Sequence, residues 1–110
     1  MTASKTIDER QAAHPRDVRN YDTEALRADF LIERLFAPGE LLLTYSHYDR
    51  MIVGGATPTT AALSLAPFAP TGTPFVLARR ELGVMNIGGA GRVTIDGQAF
   101  ELPNLDALYV

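Results

Sequence analysis

From Phe30 onward the apolar positions come in short runs, broken repeatedly by glycine, proline or aspartate. These runs predict strands over Phe30–Phe36, Leu41–Asp49, Met51–Val53, Ala61–Leu65, Phe75–Arg80, Val84–Ile87, Arg92–Ile95, Ala99–Leu102 and Ala107–Val110. Turn signals lie between them at Pro38-Gly39, Gly54-Gly55, Pro70-Thr71-Gly72, Gly88-Gly89, Asp96-Gly97 and Pro103-Asn104. Short strands at a spacing of roughly 8–12 residues are the pattern of an all-β sandwich or barrel. The clearest turn is Asp96-Gly97. It joins Val93 and Ile95 to Phe100 and Leu102, with Thr94 and Glu101 alternating between them, as a two-residue primed turn requires.

The first residues follow another pattern. Residues 1–20 show no apolar period and include a turn-prone His14-Pro15, so they read as a flexible N-terminal arm. Asp22 or Thr23 then caps a short helix over Glu24–Asp29, with acidic residues in its first turn. Residues 21–110 make one β domain. The run Ala107–Val110 ends the sequence inside a core-strand pattern with no closing turn. Sheet edges are usually protected, so the expectation is a domain truncated at its C-terminal end: a piece of a longer chain, or a half completed by a partner.

Composition narrows the possibilities. With 110 residues, 46% of them apolar, the chain can bury one modest core. No apolar run approaches the length that spans a bilayer, and Leu41-Leu42-Leu43 falls far short. Met1–Arg19 holds no apolar stretch of the kind a secretory signal needs, so the cytoplasm is the expected location. The absence of cysteine excludes disulfides and thiolate metal ligation. A net charge of −3 with both signs interspersed gives no footprint for nucleic acid. An acidic ligand would have to be held by a few placed arginines.

The residues that carry chemistry are sparse. Cupins, which are small jelly-roll barrels, use a first motif G-x5-H-x-H-x3–4-E-x6-G, whose ligands project from paired strands into the barrel. Glu81 and Gly88 have the E-x6-G spacing, and Gly97 with Pro103 marks a second stretch. The histidine positions are filled by Pro74 or Phe75 and by Val76 or Leu77. A lone carboxylate does not make a zinc or manganese site, so the spacing supports a cupin-like barrel that binds no metal within these residues.

His47 is the better of two histidines. On a strand, Tyr45, His47 and Asp49 share one face, and this stripe can orient a hydroxylated ligand or hold an imidazole tautomer. Equally, His47 and Asp49 can simply pair on a solvated face or at an interface. Arg79 and Arg80 would point to opposite faces of a strand, and either can grip a carboxylate in bidentate fashion or pair with Glu81 or a neighbouring subunit. Arg50 is a similar case. The glycines 88, 89 and 91 precede a strand, not a helix, so they read as a tight corner or bulge needing positive φ and not as a phosphate loop.

Taken together, Tyr45–Gly55, Arg79–Gly91, Asp96-Gly97-Gln98 and Asp106–Val110 resemble one known family, the 5-keto-4-deoxyuronate isomerases, also called 4-deoxy-L-threo-5-hexosulose-uronate ketol-isomerases. The resemblance runs from about Thr23 to the last residue and is weakest over Pro58–Pro74. It implies a bacterial enzyme of pectin and uronate breakdown that converts 5-keto-4-deoxyuronate to 3-deoxy-D-glycero-2,5-hexodiulosonate. It implies two cupin-like barrels per chain, zinc held in the second by three histidines and a glutamate, and hexameric assembly. This chain would be the N-terminal barrel or most of it. Having none of the zinc-binding positions, it would be inactive alone. His47, Arg50, Arg79 and Arg80 are the candidates for contact with an acidic sugar. The alternatives are a non-catalytic scaffold or oligomerisation module, and a free-standing acidic-sugar-binding domain.

Overall fold

The computed structural model describes residues 4–66 and 76–110. The chain divides into two compact units, Met1–Gly72 and Thr73–Val110. Strands dominate and helices are few, in agreement with the all-β reading. Among the described residues the strands form one three-stranded sheet and two two-stranded ladders, with no closed barrel. No helix among them is long and apolar enough to cross a membrane.

The first unit contains β1 (Ser4–Arg10), α1 (Pro15–Val18), α2 (Thr23–Phe30), β2 (Glu40–Ser46) and β3 (Met51–Ala56). The sheet order is β1-β2-β3, so β2 is central. A central strand covered on both faces needs a continuous apolar run. Leu41 to Tyr45 are all buried, Thr44 included. Each such leucine contributes roughly 1.5–3 kcal/mol by leaving water.

β1 runs parallel to β2, from Ser4↔Glu40 to Arg10↔Ser46. Parallel neighbours need a long crossover, and residues 11–39 with both helices supply it. The segment read as an arm therefore carries a strand and a helical turn. Its strand was illegible because SKTIDER has no alternating apolar face; backbone pairing with β2 positions it. In α1 the His14 side chain accepts from the Arg16 amide at 3.0 Å and Pro15 takes the first turn. Of the two predicted caps for α2, Asp22 is used, its Oδ1 accepting from the Ala25 amide at 2.8 Å.

Several strand boundaries differ from expectation. Phe30 ends α2 and residues 31–37 form no ladder. Arg10 Nη1 holds the Leu31 carbonyl at 2.6 Å, and the Leu35 carbonyl and Phe36 ring lie against Gly55. That cover explains why Gly54-Gly55, expected as a turn, belongs to β3. A β-carbon on Gly55 would overlap the Leu35 carbonyl and the Phe36 ring, and one on Gly54 would come within 2.9 Å of the Leu42 carbonyl. These glycines permit close approach inside a strand. Residues 61–65 form no strand, and Phe75 lies outside the described residues, while residues 76–79 make a turn.

The second unit contains β4 (Gly83–Met85), β5 (Gly91–Ile95), β6 (Gln98–Leu102) and β7 (Ala107–Tyr109). β5 and β6 form the predicted hairpin. Asp96 and Gly97 both have positive φ, 50° and 80°, as a type I′ turn requires. On one face Val93 lies opposite Phe100 and Leu102 is buried. On the other, Arg92 pairs with Glu101 at 2.7 Å. β4 pairs antiparallel with β7.

Candidate functional site

In the first unit the functional candidates meet where β2 ends. The strand stops at Ser46, and residues 47–50 turn the chain into β3. Asp49 and Arg50 both adopt left-handed backbone conformations, with φ of 56° and 51°. Aspartate tolerates this region and arginine less so. The predicted Tyr45/His47/Asp49 stripe is therefore only half formed. Tyr45 and His47 do meet edge to face, with ring centroids 4.9 Å apart, but the turn removes Asp49 from the strand.

The carboxylate facing His47 comes from β1 instead. His47 Nε2 lies 2.7 Å from Glu9 Oε2, and the His47 amide donates to the Arg10 carbonyl at 3.0 Å. Next to it, the Tyr48 hydroxyl accepts from the Ala13 amide at 2.8 Å and donates to the Ala13 carbonyl at 3.2 Å. The Phe30 ring approaches Tyr48 at 6.0 Å. The β2–β3 turn thus clasps the end of β1. The imidazole keeps about a third of its surface exposed, so this dyad can present a donor or acceptor to a ligand while Glu9 orients the ring. Glu9, Ala13 and Tyr48 were missed because their roles depend on a parallel strand that the sequence pattern conceals.

A cleft of about 480 Å³ opens between α2 and the sheet. Its three arginines are already engaged: Arg10 with Asp8 at 3.0 Å, Arg27 with Glu33, and Arg34 with Glu40 at 2.7 Å. On the neighbouring cleft, the Tyr21 hydroxyl donates to Asp29 Oδ2 at 2.5 Å. That bond to a carboxylate, with Asp29's charge behind it, pushes the phenol up to about 12.

The second unit holds Arg79 and Arg80. Arg79 is exposed in the 76–79 turn and Arg80 follows it half-buried, so they do not flank a strand as predicted. Glu81 accepts from the Tyr109 hydroxyl, which raises that phenol above its usual range. The glycine corner is also built differently from expectation, since none of Gly88, Gly89 and Gly91 has positive φ. The Asn86 side chain shapes it instead. Oδ1 accepts from the Gly88 amide at 2.9 Å, and Nδ2 donates to the carbonyls of Gly89 (2.8 Å) and Leu102 (2.7 Å). Asn104 Nδ2 adds a bond to the Gly88 carbonyl at 2.6 Å. An amide that reads out three backbone groups leaves no sequence signal beyond its proximity to glycines.

Among the described residues, no three histidine or carboxylate side chains come together as a metal group. His47 with Glu9 supplies two donors, whereas zinc takes three or four from protein. These residues do not fit the zinc that the resemblance implies.

No protein-family model matches the chain. Relatives that it does match are named ketol-isomerases. The 4-deoxy-L-threo-5-hexosulose-uronate ketol-isomerase 1 of Bacteroides thetaiotaomicron is 50% identical over 101 residues, which are 92% of this chain and 36% of that protein. The enzyme of the same name from Formosa agariphila is 47% identical over 107 residues, 97% of this chain and 38% of the relative. Ketol-isomerase 2 of Enterococcus faecalis is 47% identical over 104 residues, 94% and 38%. This chain corresponds to the N-terminal part of the 4-deoxy-L-threo-5-hexosulose-uronate ketol-isomerase family. It spans 36–38% of the length of these relatives.

Proposed function

We propose that the chain supplies the N-terminal part of a ketol-isomerase converting 5-keto-4-deoxyuronate to 3-deoxy-D-glycero-2,5-hexodiulosonate in bacterial pectin and uronate breakdown. The observation that carries this reading is identity of 47–50% to relatives so named, over 92–97% of the chain. In such an isomerisation the proton on the hydroxyl-bearing carbon moves to the adjacent carbonyl carbon through an enediol. The hydroxyl proton passes to the former carbonyl oxygen, and no electrons leave the substrate. The step needs a base within hydrogen-bond reach of the migrating proton.

In this reading the zinc and the base belong to the rest of the enzyme, and the 110-residue chain alone is inactive. Its own part is a scaffold: residues 21–110 contribute to the first of two cupin-like barrels, with residues 1–20 as its N-terminal arm, in a cytoplasmic hexamer. Arg50, Arg79 and Arg80 are the groups offered to the substrate carboxylate, and His47 to a hydroxyl or a neighbouring subunit. A purely structural role has one observation in its favour, the prior engagement of every arginine in the α2 cleft by a carboxylate.

The test is to substitute these residues for the matching segment of the Bacteroides thetaiotaomicron relative and assay uronate isomerisation and zinc content. The chimera is expected to turn over substrate and the isolated chain is not. A folded, zinc-loaded chimera without turnover would refute the enzyme reading. Turnover with stoichiometric zinc in the isolated chain would refute the assignment of the chemistry to the remainder.

A further inference from the structure

Glu9 and His47 both belong to the first unit, and the sheet fixes both ends of their contact. Glu9 stands opposite Tyr45 in the β1–β2 register. Alternation along β1 sends Asp8 and Arg10 to the other face, where they pair with each other at 3.0 Å. The Glu9 carboxylate is left to His47, with Oε2 2.7 Å from Nε2. On the β2 side the imidazole rests edge to face against the buried Tyr45 ring, centroids 4.9 Å apart. The His47 amide is tied to the Arg10 carbonyl at 3.0 Å. The ring is therefore held from two sides, with Nε2 turned toward β1.

An ionised carboxylate can only accept, so the hydrogen between Nε2 and Glu9 is carried by Nε2. A neutral imidazole has one N–H, which makes Nδ1 a lone-pair acceptor. Among the described residues of the first unit no hydrogen bond is made to Nδ1. An acceptor of this kind takes a hydroxyl and turns away a carboxylate, which has no proton to give. A guanidinium does the reverse, since it offers donors alone. His47 and the arginines thus suit different ends of an acidic sugar.

We propose that Glu9 is a positioning residue for the substrate: it locks His47 in the Nε2–H tautomer, so that Nδ1 accepts from a uronate hydroxyl. This rests on the reading of the chain as part of a uronate ketol-isomerase. The test uses these residues joined to the remainder of the Bacteroides thetaiotaomicron relative, with isotope-labelled histidine confined to them by segmental ligation. The labelled imidazoles are then those of His14 and His47. His14→Asn, which keeps a capping side chain, identifies the His47 signals in solid-state spectra of the ring nitrogens.

At about pH 8, where an ordinary histidine is neutral and a carboxylate ionised, the spectra are expected to show a proton on Nε2 and none on Nδ1. Glu9→Gln, whose amide donates as well as accepts, is expected to give a mixture of the two tautomers. A proton on Nδ1 in the parent, or an unchanged tautomer in Glu9→Gln, overturns the proposal. Kinetics test the hydroxyl contact. His47→Ala is expected to raise KM about five-fold, the worth of one hydrogen bond, and Glu9→Gln about two-fold, both with kcat unchanged. An unchanged KM in an active chimera overturns the contact. Should His47→Ala fail to fold, the near-isosteric Glu9→Gln gives the same split. A folded parent chimera without turnover defeats the enzyme reading and the hydroxyl contact with it, whereas the tautomer is read without turnover.

Discussion

Two corners hold their units together by different means. In the first unit, Glu9 and His47 tie β1 to the end of β2 through a pair whose strength depends on charge and solvent. In the second, Asn86 ties the glycine corner to the Leu102 carbonyl with a neutral amide. The first unit has a covered central strand from Leu41 to Tyr45, while among the described residues of the second Leu102 is the one large apolar side chain that is buried. A unit with a core can leave an ionisable tie half in water. A unit with little core relies more on directed hydrogen bonds to neutral groups.

Glycine substitution gives the widest separation between the units. Gly55→Ala sets a β-carbon against a backbone carbonyl and is expected to destabilise the first unit by about 3 kcal/mol, read from denaturant unfolding. Asn86→Ala strands the Gly88 amide and the Gly89 and Leu102 carbonyls. Its expected cost is about 2 kcal/mol, with faster amide exchange confined to the second unit. Asn86→Asp should be worse than the alanine variant, since it turns a second oxygen toward those carbonyls. A smaller loss for Asn86→Ala than for His47→Ala would invert the comparison.

The histidine–carboxylate tie is weaker. His47→Ala and Glu9→Gln are expected to cost about 0.5–1 kcal/mol each, diminishing as salt rises, whereas the Asn86 effect is salt-independent. Tyr21 supplies a pH signature. Its phenol is raised from 10.0 to about 12 by Asp29, so its stabilising bond is intact below pH 10 and is lost as pH rises through about 12. Tyrosinate absorbance should lose its latest-titrating component in Tyr21→Phe. The smallest effect belongs to Gly91→Ala, where a β-carbon meets only ordinary contacts at 3.8 and 4.0 Å. That variant is expected to fall within about 0.5 kcal/mol of the parent.

What could be read in the sequence follows from where the determinants lie. The Asp96-Gly97 hairpin was legible because turn chemistry and alternation agree within ten residues. So was α2, whose cap and acidic first turn are local. β1 was not, since a polar edge strand is specified by the backbone of β2 some thirty residues downstream. Gly54-Gly55 misled because glycine marks both turns and close approaches, and only the Leu35–Phe36 cover distinguishes them. At the candidate site, the contact of His47 with Tyr45 followed from alternation, but its partner Glu9 required the missed strand. The family was legible from longer motifs, which record ancestry without needing the contacts.

Synthesis releases β1 well before β2, with residues 11–39 between them. The β2–β3 hairpin, closed by a four-residue turn, can form as soon as Ala56 is made. The parallel pairing must wait for a long loop to close, which slows it. During that wait the unpaired strand is the polar string SKTIDER, with one isoleucine, and it offers little for other chains to stick to. The polarity that hid β1 from a hydrophobic reading keeps the late-pairing strand soluble until the His47–Arg50 turn exists to clasp it.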